Sequence, residues 1–181
     1  MMQAPGNDLL RARGAAGMPH PGGTLLEHLN RVARLLAEWG ADEDVQAAGL
    51  CHAMYGTDGF DHALMGTDER ALLAATIGDR AEVLVHLYGG CDRTAVYPRL
   101  ATDRPVLFRD RFTGREHTPP DRDLRAFAAI TVANELDVLA HNADLADRHG
   151  AALHRLFTAM YDLLPAPARE ACDRQLGRYA A

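Results

Sequence analysis

From residue 25 onward, the apolar positions of this chain recur at helical spacing. Leu25, Leu29, Val32 and Leu36 fall on one face of a helix expected over residues 25–38. Thr24 stands before it and Glu27 three residues later, a capping box that satisfies two backbone donors at the helix start. His28 shares the apolar face, so its ring is predicted to point inward. A second helix over 43–53 places Val45, Ala48 and His52 about one turn apart. Asp68 is expected to cap a third helix over 69–77. A fourth covers 79–88, and Gly89-Gly90 ends it.

Beyond that point the periodicity fades. Residues 91–105 read as irregular, and 106–108 with 111–112, around Thr113-Gly114, as a small hairpin or flap within 106–118. Thr118-Pro119-Pro120-Asp121 is a helix start, with proline at the first helical position and an acid in the first turn. The helix it opens, over 123–141, is apolar nearly all round except at Thr131, Asn134, Glu135 and Asp137, which predicts deep burial. Two further helices, over 143–164 with a break near Gly150 and over 166–179, complete an all-α bundle. A single domain is expected over 24–181. The Gly- and Pro-rich segment 1–23 before it reads as flexible or lid-like, with a short helix around 8–13 and a turn at Pro21-Gly22-Gly23.

With 181 residues the chain can bury one substantial core. A formal net charge of −6 argues against a nucleic-acid platform, which needs a basic stripe to replace phosphate counterions. No apolar run is long enough to span a bilayer, and residues 1–23 lack the apolar core of a secretory signal. Cys51, Cys91 and Cys172 are widely spaced and form no C-x-x-C pair, so the expected compartment is a reducing cytoplasm. Cys51 adjoins His52, but neighbours on a helix point about 100° apart, which makes it a small core residue. The chain contains no serine, which removes the G-x-S-x-G esterase reading.

Candidate chemistry centres on His28, His52 and Asn134. A polar group on an inward face costs roughly 2–7 kcal/mol unless it is hydrogen-bonded or coordinated, so each needs a partner. Taken singly, each is explained by a satisfied core side chain. The loop Tyr55-Gly56-Thr57-Asp58-Gly59-Phe60 follows the second histidine directly. It reads equally as a pocket wall, with Tyr55, Thr57 and Asp58 facing a substrate, or as a glycine turn. His20, before Pro-Gly-Gly, is a lid candidate. Arg93 suits an anionic substrate or a local salt bridge, and Glu135 and Asp137 suit orienting roles. His62, His86, His117, His141, His149 and His154 show no metalloprotease spacing and read as surface residues.

Glu27-His28 with Leu50-Cys51-His52-Ala53, the histidines 24 positions apart, and Ala133-Asn134-Glu135-Leu136-Asp137 resemble the motifs of the HD superfamily. The stretches His20–His28, His52–Asp58, Ile77-Gly78, Cys91-Asp92-Arg93 and Arg111–Gly114 are similar to an uncharacterised HD-related family. The resemblance implies an HD-like helical bundle. In HD enzymes two His and two Asp hold a divalent metal that activates water or, with a second iron, handles dioxygen. Here Ala53 and Asn134 stand where those carboxylates would be.

A hard divalent ion is therefore poorly served. A transition metal on His28, His52 and one recruited carboxylate (Asp58, Glu135 or Asp137) is the remaining metal reading. The leading expectation is a metal-independent, cofactor-free enzyme for a small-molecule substrate, of lyase, isomerase or cyclase type, suited to bacterial specialised metabolism. His28 and His52 would act as general acid and base, and Asn134 would orient the substrate. The alternatives are a degenerate metal-dependent hydrolase or oxygenase and a non-catalytic ligand-binding protein.

Overall fold

The computed structural model describes residues 5–60 and 62–180. The fold is all-α: nine α-helices, four short 3-10 turns and two hairpins of two-residue strands form the regular elements of the described residues. The chain divides into two compact units, Met1–Gly90 and Cys91–Ala181.

The first unit holds α1 (Pro5–Ala12), β1 (Pro19–His20), β2 (Gly23–Thr24), α2 (Leu25–Glu38), α3 (Glu43–Cys51), α4 (Arg70–Ile77) and α5 (Asp79–Gly89). The α2 start is set by the expected capping box, with the Thr24 side chain accepting from the Glu27 backbone and the Glu27 carboxylate from the Thr24 backbone. Leu25, Leu29, Val32 and Leu36 are all buried, as their spacing requires. Each such side chain contributes about 1.5–3 kcal/mol on burial. Helix α2 packs on α3, and α3 packs on α5. The α2–α3 approach is close because residue 49 is glycine: a Cβ there would lie 2.2 Å from Leu36 Cδ1.

The segment read as a lid contributes to this core. Helix α1 packs on α3 and α4, its Leu10 is fully buried, and Gly6 lies against Cys51 Sγ. Asp68 does not cap α4 by itself; a 3-10 turn, Thr67–Glu69, leads into the helix.

The second unit holds α6 (Arg93–Thr102), β3 (Phe108–Arg109), β4 (Glu116–His117), α7 (Asp121–His141), α8 (Ala143–Ala159) and α9 (Ala166–Leu176). Helix α6 corrects the expectation of an irregular stretch over 91–105. Asp92 caps it by accepting from the Ala95 backbone at 3.1 Å. Pro98 lies inside and removes one helical donor. Val96 and Leu100 are fully buried, and packing of α6 on α8 holds the helix together through the proline.

The expected hairpin exists, with its second strand later than 111–112: Phe108 pairs with His117 and Arg109 with Glu116. Asp110 draws residues 111–113 into the turn by accepting from Phe112 N–H at 2.8 Å and from the Thr113 hydroxyl at 2.9 Å. Helix α8 is not broken at Gly150. A Cβ there would lie 2.5 Å from the Tyr179 ring, so the glycine makes room for an aromatic side chain. No helix among the described residues is long and apolar enough to cross a membrane.

Candidate functional site

Three histidines of the first unit come together, and local sequence explains how. His20-Pro21-Gly22-Gly23 forms the turn of the β1–β2 hairpin, with Gly22 at φ 80°, a conformation glycine adopts without steric cost. The hairpin is tied to α2 on both sides. Thr24 N–H donates to Glu27 Oε2 at 2.7 Å, which holds the Glu27 carboxyl below its ordinary range. The Arg31 guanidinium donates to the carbonyls of Gly22 and Pro21 at 3.2 and 3.1 Å. So fastened, the hairpin lays the His20 ring on the buried His28 ring, centroids 4.0 Å apart and planes 25° from parallel.

His28 meets His52 edge to face, at 5.5 Å and 82°. His52 lies 5.0 Å from the Tyr88 ring of α5, and His20 lies 6.0 Å from Phe60. Phe60, His20, His28, His52 and Tyr88 thus make a continuous row of rings. His28 and His52 are only 1 % and 3 % exposed.

His52 follows directly on α3, where backbone carbonyls run out of helical partners. Its Nδ1 lies 2.7 Å from the carbonyl oxygen of Gly49. A carbonyl only accepts, so Nδ1 carries the proton. In the neutral ring Nε2 then carries the lone pair and is the basic atom. The adjacent Cys51 thiol is wholly buried and pushed up to about 12 by that burial, so it is an inert core group, as expected.

The other candidates of this unit lie around the loop after His52. Tyr55 is buried and donates to Glu82 Oε1 at 2.8 Å. Glu82, itself buried, accepts two bonds from Arg70 at 2.7 Å each. Burial, then the bond to Glu82, pushes the Tyr55 phenol well above its ordinary value. Buried Thr57 exchanges backbone bonds with Phe60 at 3.0 and 2.9 Å, and Asp58 is half-buried at the tip of that turn.

Asn134, Glu135, Arg93 and Asp137 belong to the second unit. The buried Asn134 amide donates to Glu135 Oε1 at 3.2 Å, and Arg93 Nη1 reaches the same oxygen at 3.3 Å. Arg93 thus forms a salt bridge to an acid 42 residues away. Asp137 faces His141 one helical turn on, 3.6 Å from its Nδ1.

Sequence reasoning named Phe60 only within the loop read as a pocket wall, and missed Tyr88, Glu82 and Arg31. Phe60 and Tyr88 meet the histidines through tertiary packing. Glu82 sits in the first turn of α5, where an acid is ordinary. Arg31 had no local signal pointing to the hairpin. A cavity of about 510 Å³ also lies in this unit; Asn7, Asn30, Ala37, Gln46 and Leu50 are among its lining residues and the histidines are not.

A family model described as a domain of unknown function (DUF6817) matches residues 9–93. The matched stretch takes in His20, His28 and His52 and ends near the Gly90 unit boundary. No match was found among curated proteins or among solved structures.

The arrangement does not fit the metal site that an HD resemblance implies. His28 and His52, the two histidines of the HD-like motifs, meet edge to face at 5.5 Å, and Ala53 beside His52 supplies no carboxylate. Among the described residues no three His, Cys, Asp or Glu side chains are grouped to hold a metal ion. The row packs three imidazoles between two aromatic rings, with His28 and His52 almost wholly buried.

Proposed function

We propose that the first unit is a small-molecule enzyme of acid/base type in which His52 and His28 move protons, within the HD-like plan that the motifs suggest. The hydrogen bond from His52 Nδ1 to Gly49 carries this reading, because it fixes Nε2 as the atom that takes a proton. His28, one ring away, is the partner that returns a proton to the substrate. That suits isomerisation, elimination or cyclisation, where one proton leaves the substrate and one is delivered to another atom or to the leaving group. His20, carried on the tethered hairpin, covers His28 and closes the row toward Phe60.

The test is incubation of the full chain in D₂O with a bacterial metabolite extract, read by untargeted mass spectrometry. Wild-type protein is expected to place deuterium on carbon in, or to convert, at least one metabolite, and His52→Gln to abolish the change. Identical spectra for wild type, His52→Gln and buffer would contradict acid/base turnover.

A further inference from the structure

A second cleft lies wholly in the C-terminal unit, at the junction of α7, α8 and α9. It has a volume of about 490 Å³, within the usual range for small-molecule sites. Its polar side chains come from His141, Asn142, Gln175, Arg178 and Tyr179, and Asn142 is committed to capping α8 by accepting from Leu145 N–H at 3.0 Å. His141 was expected to be an ordinary surface histidine, but its ring is held in place. Nδ1 lies 2.8 Å from the backbone carbonyl of Asp137, so Nδ1 carries the proton. The Asp137 carboxylate, only 4 % exposed, stands behind the ring at 3.6 Å from the same nitrogen. Nε2 is on the far side of the ring and is an acceptor in the neutral form.

The other polar groups are similarly committed on one side. Gln175 donates its amide to the Leu136 carbonyl at 2.6 Å, which leaves its side-chain oxygen as the acceptor for a ligand. The Arg178 guanidinium lies 4.8 Å from the Tyr179 ring centroid and donates to the Tyr179 hydroxyl at 2.8 Å. That hydroxyl in turn donates to Asp147 Oδ1 at 3.1 Å. The guanidinium thus contacts a phenol, spends one Nη2 hydrogen on its hydroxyl, and has its remaining N–H donors for an anion. One cationic fork and two acceptors share the cleft.

We propose that this cleft binds a small polyhydroxylated anion, a sugar acid or a sugar phosphate. Arg178 takes the anionic group, and His141 Nε2 and Gln175 Oε1 accept hydroxyl hydrogens. The site uses residues of the second unit alone and stands independently of the histidine row.

The experiment is isothermal titration of the full chain with D-gluconate, with glucose 6-phosphate and with neutral glucose. At least one anion is expected to bind, at least tenfold more tightly than glucose, and the tighter of the two identifies the anionic group. Arg178→Gln should weaken that binding about tenfold or more. Gln175→Leu should weaken it less, while His52→Gln leaves it unchanged. Unfolding temperatures of the variants near that of wild type show that they remain folded. Absence of binding by both anions, equal binding of glucose, or full affinity in Arg178→Gln would overturn the assignment.

Discussion

The Nδ1 of His52 donates to the carbonyl oxygen of Gly49 at 2.7 Å, so one hydrogen bond both closes the end of α3 and sets the tautomer of a buried imidazole. Gly49 meets a second demand, because the side of α3 it occupies lies directly against Leu36 of α2. The helix that presents His52 is thereby placed by a glycine with two roles.

Gly49→Ala is expected to destabilise the protein by about 1–3 kcal/mol, since the added methyl would lie 2.2 Å from Leu36 Cδ1. Leu36→Ala alone should cost about 2–5 kcal/mol by leaving a cavity. The double variant should cost less than the two effects added together, because the second change makes room for the first. Urea unfolding of the four proteins checks this. Simple additivity would show that the close approach does not limit packing.

Arg31→Ala removes two charge-assisted bonds to the hairpin carbonyls, at an exposed to half-buried site. A loss of about 1–2 kcal/mol is expected, confined to the hairpin. Amide hydrogen exchange at residues 20–24 should accelerate while exchange at Leu29 and Val32 is unchanged. Equal acceleration throughout α2 would mean that Arg31 supports the whole unit.

Tyr55 and Tyr161 predict a loss of stability in alkali. Burial is the first cause of both shifts; the bond to Glu82 adds to it at Tyr55, and the bond to Asp173 at Tyr161, which is pushed up to about 12. Unfolded tyrosine releases its proton near pH 10, whereas these folded phenols keep theirs. The unfolded state therefore binds fewer protons above pH 10, and stability falls as pH rises from there. Absorbance at 295 nm should show two phenols that ionise late or only with unfolding. Ionisation of all five tyrosines near pH 10 in folded protein would contradict the raised values of Tyr55 and Tyr161.

Cys51 and Cys172 are both raised to about 12 by burial. Neither thiol should react with an aromatic disulfide reagent at neutral pH until denaturant is added. Rapid modification of Cys51 in native protein would show that the region beside His52 opens to solvent.

Much of the first unit was legible in the sequence. Thr24 and Glu27 cap α2 where their spacing says they should, and the i, i+4 apolar face delivered His28 to the interior. The convergence of His20 with His28 was suggested only weakly, because it depends on a turn and on Arg31 reaching back ten residues. Helix α6 escaped sequence reading because Pro98 imitates a helix breaker and the Asp92 cap went unrecognised. Gly150 was misread for the opposite reason, since a ring 29 residues further on decides what that position must be. Long-range ring contacts, such as His52 with Tyr88, leave no trace in local periodicity.

The claim that His52 is the basic group of the row is tested most directly by its ring nitrogens. Long-range ¹⁵N–¹H NMR of histidine-labelled protein at pH 8 reports which nitrogen holds the proton. A protonated Nδ1 and an unprotonated Nε2 are expected at His52, with the pattern disturbed in Gly49→Ala. A His52 that carries its proton on Nε2 would contradict the bond to Gly49, and with it the base assigned to this site.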